Sequence, residues 1–282
     1  MLEAVLALAR LAHYLAATGL FGLCLFAVWA WPVRKGLLIG AAVAALLTTS
    51  IWLVANGAAM VGGFEGLADP VTRSAVAGTS FGRIGMGRLL VAIVICYLAA
   101  RRDGKVRAQV LAILSGALLA SLALNGHTQI HEGGLLTVQE TLDALHLLGA
   151  GAWLGGLVAL AILLGTDRPD IAQKVTAFSM VGYVAVGVLV ITGLVNAALI
   201  LPVPSALLTT LYGKLLLAKI ALFAAMLGLA MYNRLRISPA IARSETFVAG
   251  VRRLRINVFC EQTLGALVLM LVAVLGTLDP TA

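Results

Sequence analysis

Charge is scarce in this chain. Only 11% of its 282 residues are Asp, Glu, Lys or Arg, against about 25% in soluble globular domains, which excludes a soluble core wrapped in a charged surface. Cysteine is sparser still. Cys24, Cys96 and Cys260 stand at unrelated positions, so there is neither a disulfide framework nor a CxxC pair. The first apolar segment lacks a basic leader and an A-x-A-like stop and contains Arg10 and His13; it reads as a retained helix rather than a cleaved signal. Also missing are a nucleophile–base pair, a phosphate-binding glycine loop and a carboxylate cluster for two metals, so an enzyme is not expected. Nucleic acid is excluded as a partner, because the basic residues are scattered over four short loops and form no patch.

What is abundant is apolar sequence: 61% of the residues are hydrophobic and the mean hydropathy is +1.04. Apolar runs of roughly 20 residues, each long enough to cross a bilayer, recur about eight times, over Val5–Ala30, Leu37–Val61, Ile84–Ala100, Val110–Leu124, Thr141–Leu164, Val175–Leu201, Leu211–Tyr232 and Val258–Leu278. The chain is therefore expected to be an all-α integral membrane protein of eight transmembrane helices, a single membrane domain over 1–282. Arg34, Lys35, Arg101, Arg102, Lys105, Arg107, Arg168, Lys174 and the cluster from Arg234 to Arg255 fall in the connections after odd-numbered spans. By the positive-inside rule both termini face the periplasm of an inner membrane. The net charge of +8 then serves orientation and attraction to anionic lipid.

In so apolar a chain, the ionisable residues inside the membrane mark where function is to be sought. Asn125 to Gly156 holds three of the four histidines, His127, His131 and His146, with Glu132, Glu140 and Asp143; the fourth, His13, lies in the first span. Neutral imidazole suits copper, zinc, iron and nickel, so ligand type alone leaves the metal open, while the Met86 thioether suits Cu(I). Asp143, three residues before His146, can orient its ring or stabilise a helix start. His131 and Glu132 read as a solvated outer loop or a capture site. Arg88 and Lys219 are costly in hydrocarbon unless paired. Tyr212, Lys219, Met226 and Asn233 follow at heptad spacing and form one stripe. Asn196 stands near the outer end of the sixth span, and Glu261 near the inner end of the eighth, where Asn233 or Arg234 can pair with it. The cysteines fall in the inner halves, either as inert filler or as an inward copper route. The Gly-rich stretch from Gly62 to Ser80 could fold back over the site, and the basic stretch from Arg234 to Arg255 is expected to lie on the membrane surface.

An internal duplication is also legible. Aligning His13 with His146 pairs Leu15 with Leu148, Ala17 with Ala150 and Gly22 with Gly155. Phe81-Gly82-Arg83-x4-Arg88 likewise matches Tyr212-Gly213-Lys214-x4-Lys219, at a similar offset of roughly 130 residues. Two four-helix repeats, about 1–130 and about 135–282, would lie parallel around an axis along the membrane normal. His13 and His146 would then face each other near that axis, as a cage for one metal ion or one planar cofactor.

The Asp143-x-x-His146-x6-Trp153-Leu-Gly-Gly-Leu157 segment, Gly126-His127, Tyr212-Gly213-x5-Lys219 and Asn233-Arg234 together resemble the copper resistance protein D (CopD) family of bacterial inner-membrane proteins, over essentially the whole chain. The resemblance implies copper handling, import into the cytoplasm, and a periplasmic copper-binding protein of the CopC type as a separate partner. It makes the chain a copper transporter with His13, His127 and His146 as leading ligands, one half moving against the other. Two rivals stand beside it. One is a b-type haem protein with His13 and His146 as axial ligands and Arg88 and Lys219 near the propionates. The other is a non-transporting dock for a periplasmic copper chaperone. Homodimerisation is left open.

Overall fold

The computed structural model describes residues 2–30, 33–101, 104–125, 138–166, 170–200 and 205–278; His127, His131 and Glu132 lie outside them. Among the described residues there are helices and turns and no strand. The N-terminal part contains α1 (Leu2–Trp29), α2 (Lys35–Met60), a short α3 (Pro70–Gly78), α4 (Ser80–Ala100) and α5 (Lys105–Ala120). In the C-terminal part α6 (Val138–Ala150) runs through a π-turn, Gly151–Gly155, into α7 (Gly156–Leu164). There follow α8 (Ile171–Ile200), α9 (Ala206–Thr209), α10 (Leu211–Tyr232), a second π-turn at Asn233–Ile237, α11 (Ser238–Ile241) and α12 (Phe247–Leu275). Eight helical stretches are long and apolar enough to cross a membrane, as a backbone in lipid must satisfy its own hydrogen bonds.

The first and last spans meet at one end of the bundle, where Arg10 Nη1 donates to the Ala273 carbonyl at 3.4 Å. In the N-terminal half α1 packs on α2, α2 on α4, α4 on α5 and α5 back on α1, a closed ring. The C-terminal half follows the same order but does not close. There α6 packs on α8 and α10 on α12, while α8 and α10 scarcely touch. α1 is the hub, lying against the Gly151–Gly155 turn, α7 and α12 as well as its own half. Small residues permit this: α1 and the fifth span cross at Gly22 and Gly155, where a Cβ on either would overlap the other's backbone.

One connection differs from expectation. The basic stretch from Arg234 to Arg255 is mostly helix rather than a surface loop. The seventh span continues through its π-turn to Ile241, and α12 begins at Phe247, carrying Arg252, Arg253 and Arg255. Helix runs on either side of a short turn at 242–246, since Arg and Leu are good helix formers, Pro239 sits in the first turn of α11, and long Arg stems can lie along apolar surface. Arg255 reaches back to the Leu164 carbonyl.

The Gly62–Ser80 stretch does fold back. Gly62 and Gly63, at φ 80° and 152°, turn the chain after α2 through backbone states that suit glycine. Leu67 and Val76 then pack over Gly57. Asp69 caps α3, accepting from the Thr72 amide at 2.9 Å and the Thr72 hydroxyl at 2.7 Å. These bonds, the hydroxyl first, hold the Asp69 carboxyl below its ordinary range. A depressed carboxyl pKa stabilises the fold above the unfolded value, and the gain is lost as pH falls through the folded one. Amide exchange over 70–78 should therefore stay slow at neutral pH and rise in acid below the usual carboxylate range. In Asp69→Ala it should be fast at every pH.

Candidate functional site

Each half builds an imidazole site in the same way. In the N-terminal half His13, 1% exposed, places Nδ1 3.4 Å from the Thr48 hydroxyl, and that hydroxyl spends its only proton on the Ala44 carbonyl at 2.8 Å. Thr48 can then only accept, so Nδ1 carries the ring proton and Nε2 keeps its lone pair. Nε2 is buried with no partner among the described residues. Trp52 stacks on the ring at 5.9 Å between centroids, Phe81 tilts against the indole at 5.5 Å, and the Arg88 guanidinium lies over it at 5.1 Å. Arg88 is 2% exposed; its Nε donates to the Ser121 hydroxyl at 2.9 Å and a terminal nitrogen to the Ser121 carbonyl. The cation is thus paired with the end of the fourth span.

In the C-terminal half His146 Nδ1 lies 2.8 Å from the Thr192 hydroxyl, which donates to the Val188 carbonyl at 2.6 Å. The same proton count leaves Nε2 of His146 as a free lone pair. Asp143 does not orient the ring; its carboxylate accepts from Asn196 Nδ2 at 2.6 Å. The halves differ one helical turn beyond the threonine. Thr48 is followed there by Trp52 and Thr192 by Asn196. The indole fills the N-terminal half. The short amide turns to Asp143, and where α8 and α10 scarcely touch there is a cleft of about 350 Å³, lined by His146, Lys219, Tyr14, Trp153 and Met226 among others.

His13 is not part of that cleft. The two rings look into their own halves, His13 towards α2 and α4 and His146 towards α8, so they do not form the face-to-face cage read from the repeat. Among the described residues no three His, Cys, Asp or Glu side chains come close enough together to hold a metal ion. Met86 is 57% exposed, two positions from buried Arg88 on α4, so it points to lipid and away from His13. Tyr212, Met226 and Asn233 are buried along one face of the seventh span. Near the opposite end, Asn233 Nδ2 donates to Glu261 at 2.7 Å and Asn257 to Asn233 at 2.7 Å. Cys24 borders a second cavity of about 340 Å³ with Lys105 and Arg107, whereas Cys260 is exposed. Thr48, Thr192, Trp52 and Ser121 went unread in the sequence. The signal was a threonine one turn before a polar or aromatic residue in two otherwise aliphatic spans.

Comparison with known proteins places this geometry. The family model described as "Copper resistance protein D-like, N-terminal domain" matches residues 1–138, and "Copper resistance protein D" matches 172–275. Copper resistance protein D of Pseudomonas syringae pv. tomato is 33% identical over 296 residues, covering 96% of this chain and 95% of that protein. The chain belongs to the copper resistance protein D family. Within reach of the same family, Inner membrane protein YebZ of Escherichia coli (strain K12) is 29% identical over 284 residues, 96% of this chain and 97% of its own length. Copper transport protein CutJ of Bacillus subtilis (strain 168) is 38% identical over 117 residues, 40% of this chain but 21% of that protein. No solved structure matches the chain. Family and fold together make this copper resistance protein D homologue a copper-related, multi-pass inner-membrane protein.

Proposed function

We propose that the protein is a copper carrier rather than an enzyme, moving copper from periplasm to cytoplasm with both termini periplasmic. The observation that carries this reading is the pair of threonine-tethered imidazoles, each with a fixed Nδ1–H and a free Nε2 lone pair, the state in which histidine binds a metal. His146, open to the cleft, is the ligand that exchanges; His13 is its buried counterpart; His127 and His131, on the segment before α6, are further ligand candidates from the sequence. Copper arrives from a separate periplasmic copper-binding protein of the CopC type. The similarity to Copper transport protein CutJ supports transport as the activity.

The test is copper uptake into sealed proteoliposomes under reducing conditions. Uptake should exceed that of protein-free vesicles and fall at least about tenfold in His146→Ala, the scale of losing a metal-site group. Copper that binds the protein while the lumenal content never rises overturns transport in favour of the dock.

A further inference from the structure

The cleft beside His146 has two features that a metal ion does not explain. Its walls are almost wholly aliphatic and aromatic, and it opens sideways. Val190 and Leu194 of α8 and Leu216 and Ile220 of α10 border it, and Leu194 and Ile220 are 69% and 48% exposed to the membrane side. An apolar cavity of this kind excludes water and is reached from lipid. Two hydrogen-bond donors nevertheless line it, the Lys219 ammonium and the Tyr14 hydroxyl. Neither has a hydrogen-bond partner among the described residues. Unpaired donors in hydrocarbon are costly, so the pair points to a ligand with two acceptors.

The surroundings narrow its class. Lys219 lies eight positions into α10, about 12 Å along its axis. That is deeper than the headgroup layer, roughly 5–7 Å thick on each side, so a phospholipid phosphate is out of place. The aliphatic and aromatic walls favour a neutral head over a carboxylate, whose charge would lose its hydration there. Ala150, Gly193 and Ala197 leave a slot beside the imidazole, with Phe223 and Trp153 meeting edge-on at 5.5 Å below it. We propose that this cleft binds a lipid-soluble quinone, its two carbonyls taken by Lys219 and Tyr14 and its tail leaving between α8 and α10.

The experiment is quenching of tryptophan fluorescence by a short-tailed benzoquinone, on the full chain in nanodiscs of quinone-free phosphatidylcholine. Quenching should saturate, and the saturable part should vanish in Trp153→Phe. Lys219→Met should weaken binding about tenfold, one lost charge-assisted hydrogen bond, and Tyr14→Phe by a smaller factor. Ala197→Phe, on the wall of the cleft, should fill it and abolish the saturable quenching; if that variant misfolds, Leu194→Trp at the mouth replaces it, and lipid-facing Val54→Ala should bind as wild type. Linear quenching, equal affinity in every variant, or displacement by decanoate or an anionic phospholipid overturns the proposal. So does a disulfide between two copies carrying cysteine at Leu194 and Ile220, which would make the open face a dimer seam. None of these readouts involves copper, so the proposal stands or falls apart from the transport reading.

Discussion

Leucine at Gly155 is expected to prevent the bundle from assembling. A Cβ there would run into the Thr18 carbonyl and lie 2.8 Å from the Gly22 Cα, a contact with backbone that cannot rotate away. Overpacking costs about 1–3 kcal/mol where side chains can shift, and more is expected where two main chains must separate. Stabilities of whole domains are only about 5–15 kcal/mol. The damage also spreads, because α1 is the hub of both halves and Gly151 and Gly156 seat Phe21 and Phe26 on either side of the crossing. Size-exclusion profiles in detergent should show loss of the monodisperse peak, and any folded remainder should melt far below wild type. Gly40 is the contrast: nothing lies within 4 Å of a Cβ added there, so Gly40→Ala should be neutral or slightly stabilising through helix propensity. If Gly155→Leu melted with Gly40→Ala, the crossing would be wrongly placed.

Spans and their helical nature were legible because membrane thickness imposes run length and the bilayer allows few alternatives to helix. The glycine pair was legible too: Gly22 and Gly155, aligned in sequence through His13 and His146, are the residues that touch. What sequence could not give was direction. A histidine's number says nothing about which neighbour its ring selects, and that choice rests on Thr48 and Thr192, whose hydroxyls look like ordinary helix-packing groups in sequence. The basic stretch after Asn233 was misread for a different reason. Charge density suggested a loop on the membrane surface, but the stretch is helical on both sides of a short turn at 242–246, and arginine tolerates an interfacial helix. Met86 failed through periodicity: two positions from Arg88 is the opposite face of a helix. The cleft was hidden because it arises from a helix contact that is missing between α8 and α10, and no motif encodes a gap.

The threonine tethers yield the second large effect. His146→Ala removes the exchanging ligand and should abolish the copper affinity that depends on the cleft. Thr192→Val keeps the ring and nearly the same volume but removes the acceptor that fixes Nδ1–H. The imidazole is then free to place its proton on Nε2 and to rotate in the slot beside Gly193, whose position lies close against its Cε1. Loss of such an orienting partner lowers metal affinity about 10–100-fold, so Thr192→Val should fall between wild type and His146→Ala in a Cu(I) competition titration against a chromogenic chelator. Thr48→Val should do less. The His13–Thr48 bond is longer, at 3.4 Å against 2.8 Å, and Trp52 holds the His13 ring by stacking whether or not the hydroxyl is present. Equal losses from both threonine variants would mean that the two imidazoles act as one site despite facing apart, and the division into an open and a closed half would fail.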